Sequence, residues 1–207
     1  MRDFACPNCG QQLAFENSVC LSCASPLGFS LALRTLLVIS DFAPTGDAGQ
    51  LSGVVDGRRY RLCDNLHIAR CNWLVQVPDD ELDAPAPPQG DPDPEQPDPA
   101  PPALDNGPAL CESCRLTRTR PNDADTAGLD AFAEAEAAKR RLIMELAELG
   151  LPITGRDENP RFGLAFDLLS SATDQVLTGH QNGVITLDLA EANDPHREQL
   201  RVEMDEP

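Results

Sequence analysis

The stretch Cys6-Pro7-Asn8-Cys9-Gly10, answered by Cys20-Leu21-Ser22-Cys23, decides how this chain folds. Two C-x2-C pairs ten residues apart let two tight turns aim four sulfurs at one metal ion, the arrangement of a zinc ribbon. Gly10 supplies the positive φ that such a knuckle requires. Gln11 to Phe15 is expected to run as a strand, and Glu16-Asn17-Ser18 turns the chain back toward the second pair. Four thiolates fill a tetrahedral shell and leave no position for water, so the site reads as a structural clip. Iron in a rubredoxin-like site uses the same ligand set, and spacing alone does not separate the two metals.

Working outward, Cys63, Cys71, Cys111 and Cys114 form a second tetrad of the type C-x7-C…C-x2-C. All eight thiols are then used, and two structural zinc sites are expected. An interleaved cross-brace, with Cys6 and Cys9 sharing a metal with Cys63 and Cys71, is the alternative pairing. His67 is an alternative ligand, although a lone histidine at such a place is more often a surface or packing residue. Val54 to Leu62 reads as a β-hairpin turning at Asp56-Gly57, which delivers Cys63 at its end.

The rest of the composition supports metal as a staple. Only 4% of the 207 residues are aromatic, with one Trp and one Tyr, so core material is thin. Met1 to Cys6 has no apolar leader, and the longest apolar run, Leu31 to Ile39, is short and carries Arg34, so neither signal peptide nor membrane span is expected. A cytoplasmic location follows, where clustered cysteines bind metal rather than pair as disulfides. The net charge is −18, and half of it lies in Pro78 to Pro108, with nine acidic residues, no basic ones and eleven of the nineteen prolines. That segment is expected to be a disordered, extended insertion inside the second zinc module. Each zinc held by four thiolates adds further negative charge. Nucleic acid, which needs a basic face to release counterions, is therefore not an expected partner.

Arg115, Arg118 and Arg120 follow Cys114 directly and are expected to compensate and hydrogen-bond the thiolate cluster. Thr126 to Leu149 has the clearest helical period, with Leu129, Phe132, Ala135, Ala138, Leu142, Leu146 and Leu149 as the apolar face and Gly150 and Pro152 as the stop. Lys139, Arg140 and Arg141 then fall on a solvated face, with Glu136 placed to pair with Arg140. Phe162 to Leu169, Val176 to Thr178 and Val184 to Leu189 read as strands, the last two joined by a turn at His180 to Gly183. Asp194-Pro195 opens a short helix reaching about Met204. His180 and His196 lack a triad or metal-ligand pattern and read as surface or packing residues.

Several ordered stretches carry a resemblance beyond these readings: Phe15-Glu16-Asn17, Leu27-Gly28-Phe29, Cys63-Asp64-Asn65, Cys71-Asn72-Trp73, Cys114 to Thr119, Ala138 to Leu142, Leu164 to Asp167, and above all Val176 to Pro207. Together they resemble a bacterial family of zinc-binding metallopeptidases that carry an N-terminal zinc ribbon. The resemblance covers nearly the whole chain except Pro78 to Pro108; that insertion and Arg120 depart from the family pattern. It implies an α+β fold: an N-terminal rubredoxin-like zinc ribbon over 1–30, a second four-cysteine zinc module over 31–121 with the insertion at 78–108, and the helix and β-hairpin of an incomplete zincin-like domain over 122–207. It also implies that the eight cysteines are zinc ligands and that Val184 to Leu189 is an edge strand where a peptide adds by β-pairing.

The family's catalytic signature is H-E-x-x-H on a helix, and this sequence does not contain it. In relatives that helix follows the position of Glu206-Pro207, so the chain is expected to be truncated before it, and no catalytic residue is carried over. The expected function is a zinc-binding, non-catalytic N-terminal portion of a zinc-dependent metallopeptidase, with peptide or protein as partner. The alternative is a free-standing zinc-ribbon adaptor that binds a protein through Lys139 to Arg141 or the acidic insertion. A hydrolase using His180 or His196 is the least supported reading.

Overall fold

A computed structural model of the chain describes residues 3–45, 50–77, 109–171 and 176–192. The insertion Pro78 to Pro108, the expected helix from Asp194 and His196 lie outside them. Strands β1 (Phe4–Ala5) and β2 (Gln12–Leu13) pair antiparallel across the first knuckle. A second antiparallel pair, β3 (Leu27–Ser30) and β4 (Thr35–Val38), turns through Arg34 at φ 51°. Next come β5 (Ala43–Thr45), β6 (Gln50–Val55), β7 (Arg58–Leu62) and β8 (Leu74–Gln76), an antiparallel sheet in chain order. The β6–β7 turn has Asp56 at φ 50° and Gly57 at φ 75°, the two left-handed residues of the expected Asp-Gly hairpin.

The remaining elements are β9 (Thr117–Thr119), α1 (Thr126–Glu148), β10 (Ala165–Leu169), β11 (Gly179–Gln181) and β12 (Val184–Asp188). Their sheet runs β11-β12-β10-β9, with β10 parallel to both neighbours and β11 antiparallel to β12. The fold is thus mixed α+β, as expected. One strand pairing differs. The turn of the last hairpin is Asn182-Gly183, at φ 50° and 84°, so His180 sits inside β11 instead of in the turn. Asn-Gly satisfies the two positive φ angles that a two-residue turn demands, which His180 and Gln181 would not.

Helix α1 starts where Asp125 caps it, its Oδ1 accepting from Gly128 N at 2.8 Å. It ends before Gly150, at φ 69°. The buried face overlaps only in part with the one the periodicity indicates, Ala135 and Leu146 packing against the core at its margin. Phe132 is buried, but Ala138, Leu142 and Leu149 are exposed, and Ala133, Glu136, Lys139, Arg140, Ile143 and Met144 turn inward. The expected solvated run at Lys139 and Arg140 is therefore a correction: both side chains are buried, and only Arg141 of the three reaches the surface. Paired and hydrogen-bonded charges occupy core positions, so a pattern of apolar residues alone locates only part of the buried stripe.

One continuous core joins these parts. Phe29 stands at its centre, with ring centroids 5.8 Å from Phe4, 5.3 Å from Phe15 and 5.2 Å from Trp73. The same cluster reaches cysteines of both tetrads, Phe132 and Ile143 of α1, and Phe166 and Leu168 of β10. Polar stitching fixes the register between the two cysteine modules. Asn72 Nδ2 donates to Phe15 O at 2.7 Å, while Phe29 N donates to Asn72 O at 2.8 Å. Gly28 permits the approach, since a Cβ there would lie 2.6 Å from Leu74 Cδ2.

Candidate metal centres

Each tetrad closes on a single point. The sulfurs of Cys6, Cys9, Cys20 and Cys23 all lie within 4.8 Å of one another, and so do those of Cys63, Cys71, Cys111 and Cys114. Individual separations are 3.7 Å for Cys6–Cys23, 3.6 Å for Cys9–Cys20 and 3.7 Å for Cys71–Cys111. A tetrahedron with metal–sulfur spokes of about 2.3 Å has edges of about 3.8 Å. A disulfide would instead hold its sulfurs about 2.05 Å apart. The donor set and its spacing fit tetrahedral zinc, and the cross-brace pairing does not occur. His67 is exposed and outside both groups.

The first tetrad is built from two equivalent knuckles. Gly10 N donates to Cys6 O at 2.9 Å and Ala24 N to Cys20 O at 2.8 Å, and both turns finish in the left-handed region. Gly10 is suited to that conformation, whereas Ala24, at φ 57°, is strained. A polar relay supports one sulfur: Asn8 Nδ2 donates to Ser25 Oγ at 3.0 Å, and the same hydroxyl is hydrogen-bonded with Cys23 Sγ at 3.2 Å. Hydrogen bonds from Ser25 hold the Cys23 thiol down at about 6, favouring the thiolate that a metal needs. Cys9 is exposed and Cys23 half-buried, so this centre meets solvent.

The second tetrad is wholly buried. Cys63 follows directly on β7; Cys71 follows a turn in which Ala69 N donates to Asn65 O at 3.0 Å; Cys111 and Cys114 form a knuckle closed by Arg115 N to Cys111 O at 3.0 Å. Asp64 clasps the far end of the insertion: its N donates to Ala109 O at 3.0 Å and its Oδ2 accepts from Ala109 N at 2.6 Å. Backbone N–H groups aim at sulfur, Cys111 N at Cys63 Sγ and Cys114 N at Cys111 Sγ, each 3.5 Å. Neighbouring thiols Cys111 and Cys114 hold Cys63 down while burial pushes Cys111 up, an uneven sharing of protons that a metal would displace.

Arg115, Arg118 and Arg120 do not serve the thiolates, which corrects the expectation. Arg115 pairs with Asp157 at 2.8 Å and Glu158 at 2.6 Å, Arg118 with Asp167, and Arg120 with Asp123 at 2.6 Å. Carboxylates within reach are better partners than sulfurs already served by backbone N–H groups. Helix α1 supplies the charged surroundings of the second tetrad instead. Glu136 Oε2 lies 3.6 Å from Cys114 Sγ, and Glu136 Oε1 accepts from Thr117 Oγ1 at 2.5 Å and from Lys139 Nζ at 2.6 Å. Burial pushes the Glu136 carboxyl up, opposed by the Lys139 ammonium. Arg140 donates to Ala69 O at 3.2 Å and to Arg70 O at 3.4 Å, gripping the loop that presents Cys71. The only sequence signal for these roles is the break that charged residues make in the buried stripe.

A second correction concerns the sheet. β12 is interior, between β10 and β11, and among the described residues β11 is the edge strand, exposed at Gly179, His180 and Gln181. Two grooves flank it. One, of about 400 Å³, is lined by Leu164, His180, Ile185 and Leu187; the other, of about 510 Å³, by Arg118, Asp167, His180 and Gln181. His180 borders both and joins no metal group among the described residues. No helix among those residues is long and apolar enough to cross a membrane.

Comparison with known proteins agrees with this geometry. Residues 3–86 match a zinc-ribbon domain family, and residues 128–207 match the family described as "Putative zinc-binding metallo-peptidase". The uncharacterized proteins Rv2568c of Mycobacterium tuberculosis and Mb2598c of Mycobacterium bovis are each 56% identical over all 207 residues. The chain spans about half of their length, 48%. No solved structure gives a significant match. The resemblance read from the sequence is borne out, and this is a zinc-binding chain that matches a zinc-ribbon domain at its N-terminal end and a zinc metallo-peptidase family at its C-terminal end.

Proposed function

We propose that the chain is the zinc-scaffolded, non-catalytic N-terminal portion of a zinc-dependent peptidase. Cys6, Cys9, Cys20 and Cys23 ligate one structural zinc, and Cys63, Cys71, Cys111 and Cys114 a second. The observation that supports this most is closure: four sulfurs surround each point, so neither metal keeps a coordination position for water or substrate. The division into 1–30, 31–121 and 122–207 belongs to the same proposal, with β9 carried across the second boundary into the sheet of β10 and β12. Strand β11, the edge of its sheet among the described residues, is where a peptide would pair, since it lies between two grooves. Eight thiols without a disulfide among them suit a reducing, cytoplasmic setting.

Metal analysis of protein purified without chelator tests the scaffold, with two zinc ions per chain expected and fewer than one counting against it. Incubation with an unstructured protein substrate tests the rest: no hydrolysis is expected from the purified chain, and zinc-dependent cleavage by it would refute the non-catalytic role.

A further inference from the structure

We infer that the peptide taken by β11 is an extended segment in which apolar and acidic residues alternate; this rests on the reading of β11 as a pairing strand and adds its selectivity. The register separates the two faces of the sheet. Phe166 stands opposite Ile185, Ile185 opposite His180, and Leu168 opposite Leu187, so these side chains share one face. Phe166 and Leu168 are buried there, while Ile185 and Leu187 pack against the same core and still line the groove of about 400 Å³. Asp167, Thr186 and Gly179 align on the opposite face, as do Val184 and Gln181, and they line the groove of about 510 Å³ with Arg118 and Arg156.

The charge of this second groove is positive. Arg118 Nε and Nη2 grip the two oxygens of Asp167, so that pair is neutral and Nη1 keeps its protons for another acceptor. Arg156 donates to two uncharged carbonyls, Pro160 O at 2.5 Å and Asn182 O at 2.8 Å, which leaves its charge uncompensated. The net charge of −18 belongs to the whole chain, and charges beyond about 8 Å are screened at physiological ionic strength. A ligand in the groove therefore answers to two guanidiniums and one carboxylate. A strand added to β11 sends successive side chains to opposite faces. One set meets Leu164, Ile185 and Leu187; the other meets Arg118 and Arg156. Gly179 leaves the way across β11 open, since a Cβ there would have no neighbour within 4 Å.

Amide NMR of the zinc-loaded chain provides the test, with peptides of equal length that alternate valine with glutamate, with lysine or with serine. The glutamate peptide is expected to shift the amides of residues 179–181 and 184–187 and to bind about fivefold more tightly than the serine peptide, with the lysine peptide weakest. Gln181 is exposed on the charged face, so its substitution leaves the fold intact. Gln181→Glu is expected to weaken the glutamate peptide about fivefold and leave the serine peptide unchanged, and Gln181→Lys to strengthen the glutamate peptide. Equal binding of the glutamate and serine peptides, or of a peptide with the same residues in two blocks, overturns the selectivity while peptide pairing stands. No shift in β11 with any peptide at millimolar concentration overturns the pairing reading and this inference with it. Shifts at residues 179–181 on dilution of the free protein assign the strand to a second copy and overturn both.

Discussion

Lys139 Nζ donates to Glu136 Oε1 at 2.6 Å one helical turn away, and the two side chains are only 3% and 0% exposed. Thr117 completes the group by donating to the same carboxylate oxygen, and the Phe166 ring lies 5.3 Å from the ammonium. Breaking such a pair leaves one charge buried alone. Glu136→Gln is expected to destabilise the zinc-loaded chain by about 3–5 kcal/mol, whereas Glu136→Leu with Lys139→Met is expected to be nearly neutral. Urea unfolding measures both; a loss under about 1 kcal/mol for the single variant would contradict the pairing.

The two tetrads differ in access to water, so their zincs should leave at different rates. A chelator is expected to extract one equivalent quickly from the ribbon, where Cys9 is exposed, and the other slowly from the buried tetrad. Cys9→Ser should abolish the fast phase alone. A single phase carrying both equivalents, followed with a zinc-sensitive dye, would show that the sites are not independent.

Arg140 touches no sulfur, yet it holds the two carbonyls that precede Cys71. Arg140→Met keeps much of the side-chain bulk and removes both bonds. Zinc affinity of the second centre is expected to fall about 10- to 100-fold, with the ribbon centre unchanged. Competition with a chelator of known affinity reads both values, and an equal fall at both sites would point to general unfolding instead.

Asp167 carries the acid-side pH dependence of the sheet. Arg118 and Thr119 hydrogen-bond its carboxylate and hold it below its ordinary 3.8. A depressed folded value means that the stabilisation is complete above 3.8 and fades as pH falls below it. Arg118 is half-exposed, so the effect is modest, and Asp167→Asn is expected to cost about 1–2 kcal/mol at neutral pH. The difference between wild type and variant should shrink on acidification; a constant difference down to the lowest accessible pH would remove Asp167 as its source.

Ala24 occupies in the second ribbon knuckle the place that Gly10 takes in the first. Ala24→Gly relieves a left-handed alanine and is expected to raise stability by on the order of 1 kcal/mol. Gly10→Ala should lower it by a similar amount. Thermal unfolding of the zinc form compares them, and a melting point lowered by Ala24→Gly would contradict the account.

What sequence reading recovers here is local. The C-x2-C knuckles, Asp56-Gly57 and the ends of α1 depend on neighbours a few residues away, and each appears where expected; the second tetrad, which spans the insertion, is legible only from the count of cysteines. The misreadings depend on distant residues. Nothing near Glu136, Lys139 or Arg140 reveals that Thr117, Ala69 and Arg70 wait to accept or supply their hydrogen bonds. β9 is three residues long and exists because β10, far along the chain, accepts it as a parallel neighbour. Likewise, the place of β12 inside its sheet is decided by partners on both sides, which alternating residues within Val184–Asp188 do not encode.

The clasp between Asp64 and Ala109 insulates the second metal centre from whatever is spliced into 78–108. Val77 is anchored by its N–H to Arg59 O near the start of β7, and Ala109 by Asp64 in the turn just after β7, so both exits of that stretch are moored. Closing a span between fixed moorings grows only logarithmically harder with length, about 0.6 kcal/mol per doubling. A shorter or longer insert at this point would therefore leave the tetrathiolate cage in its shape.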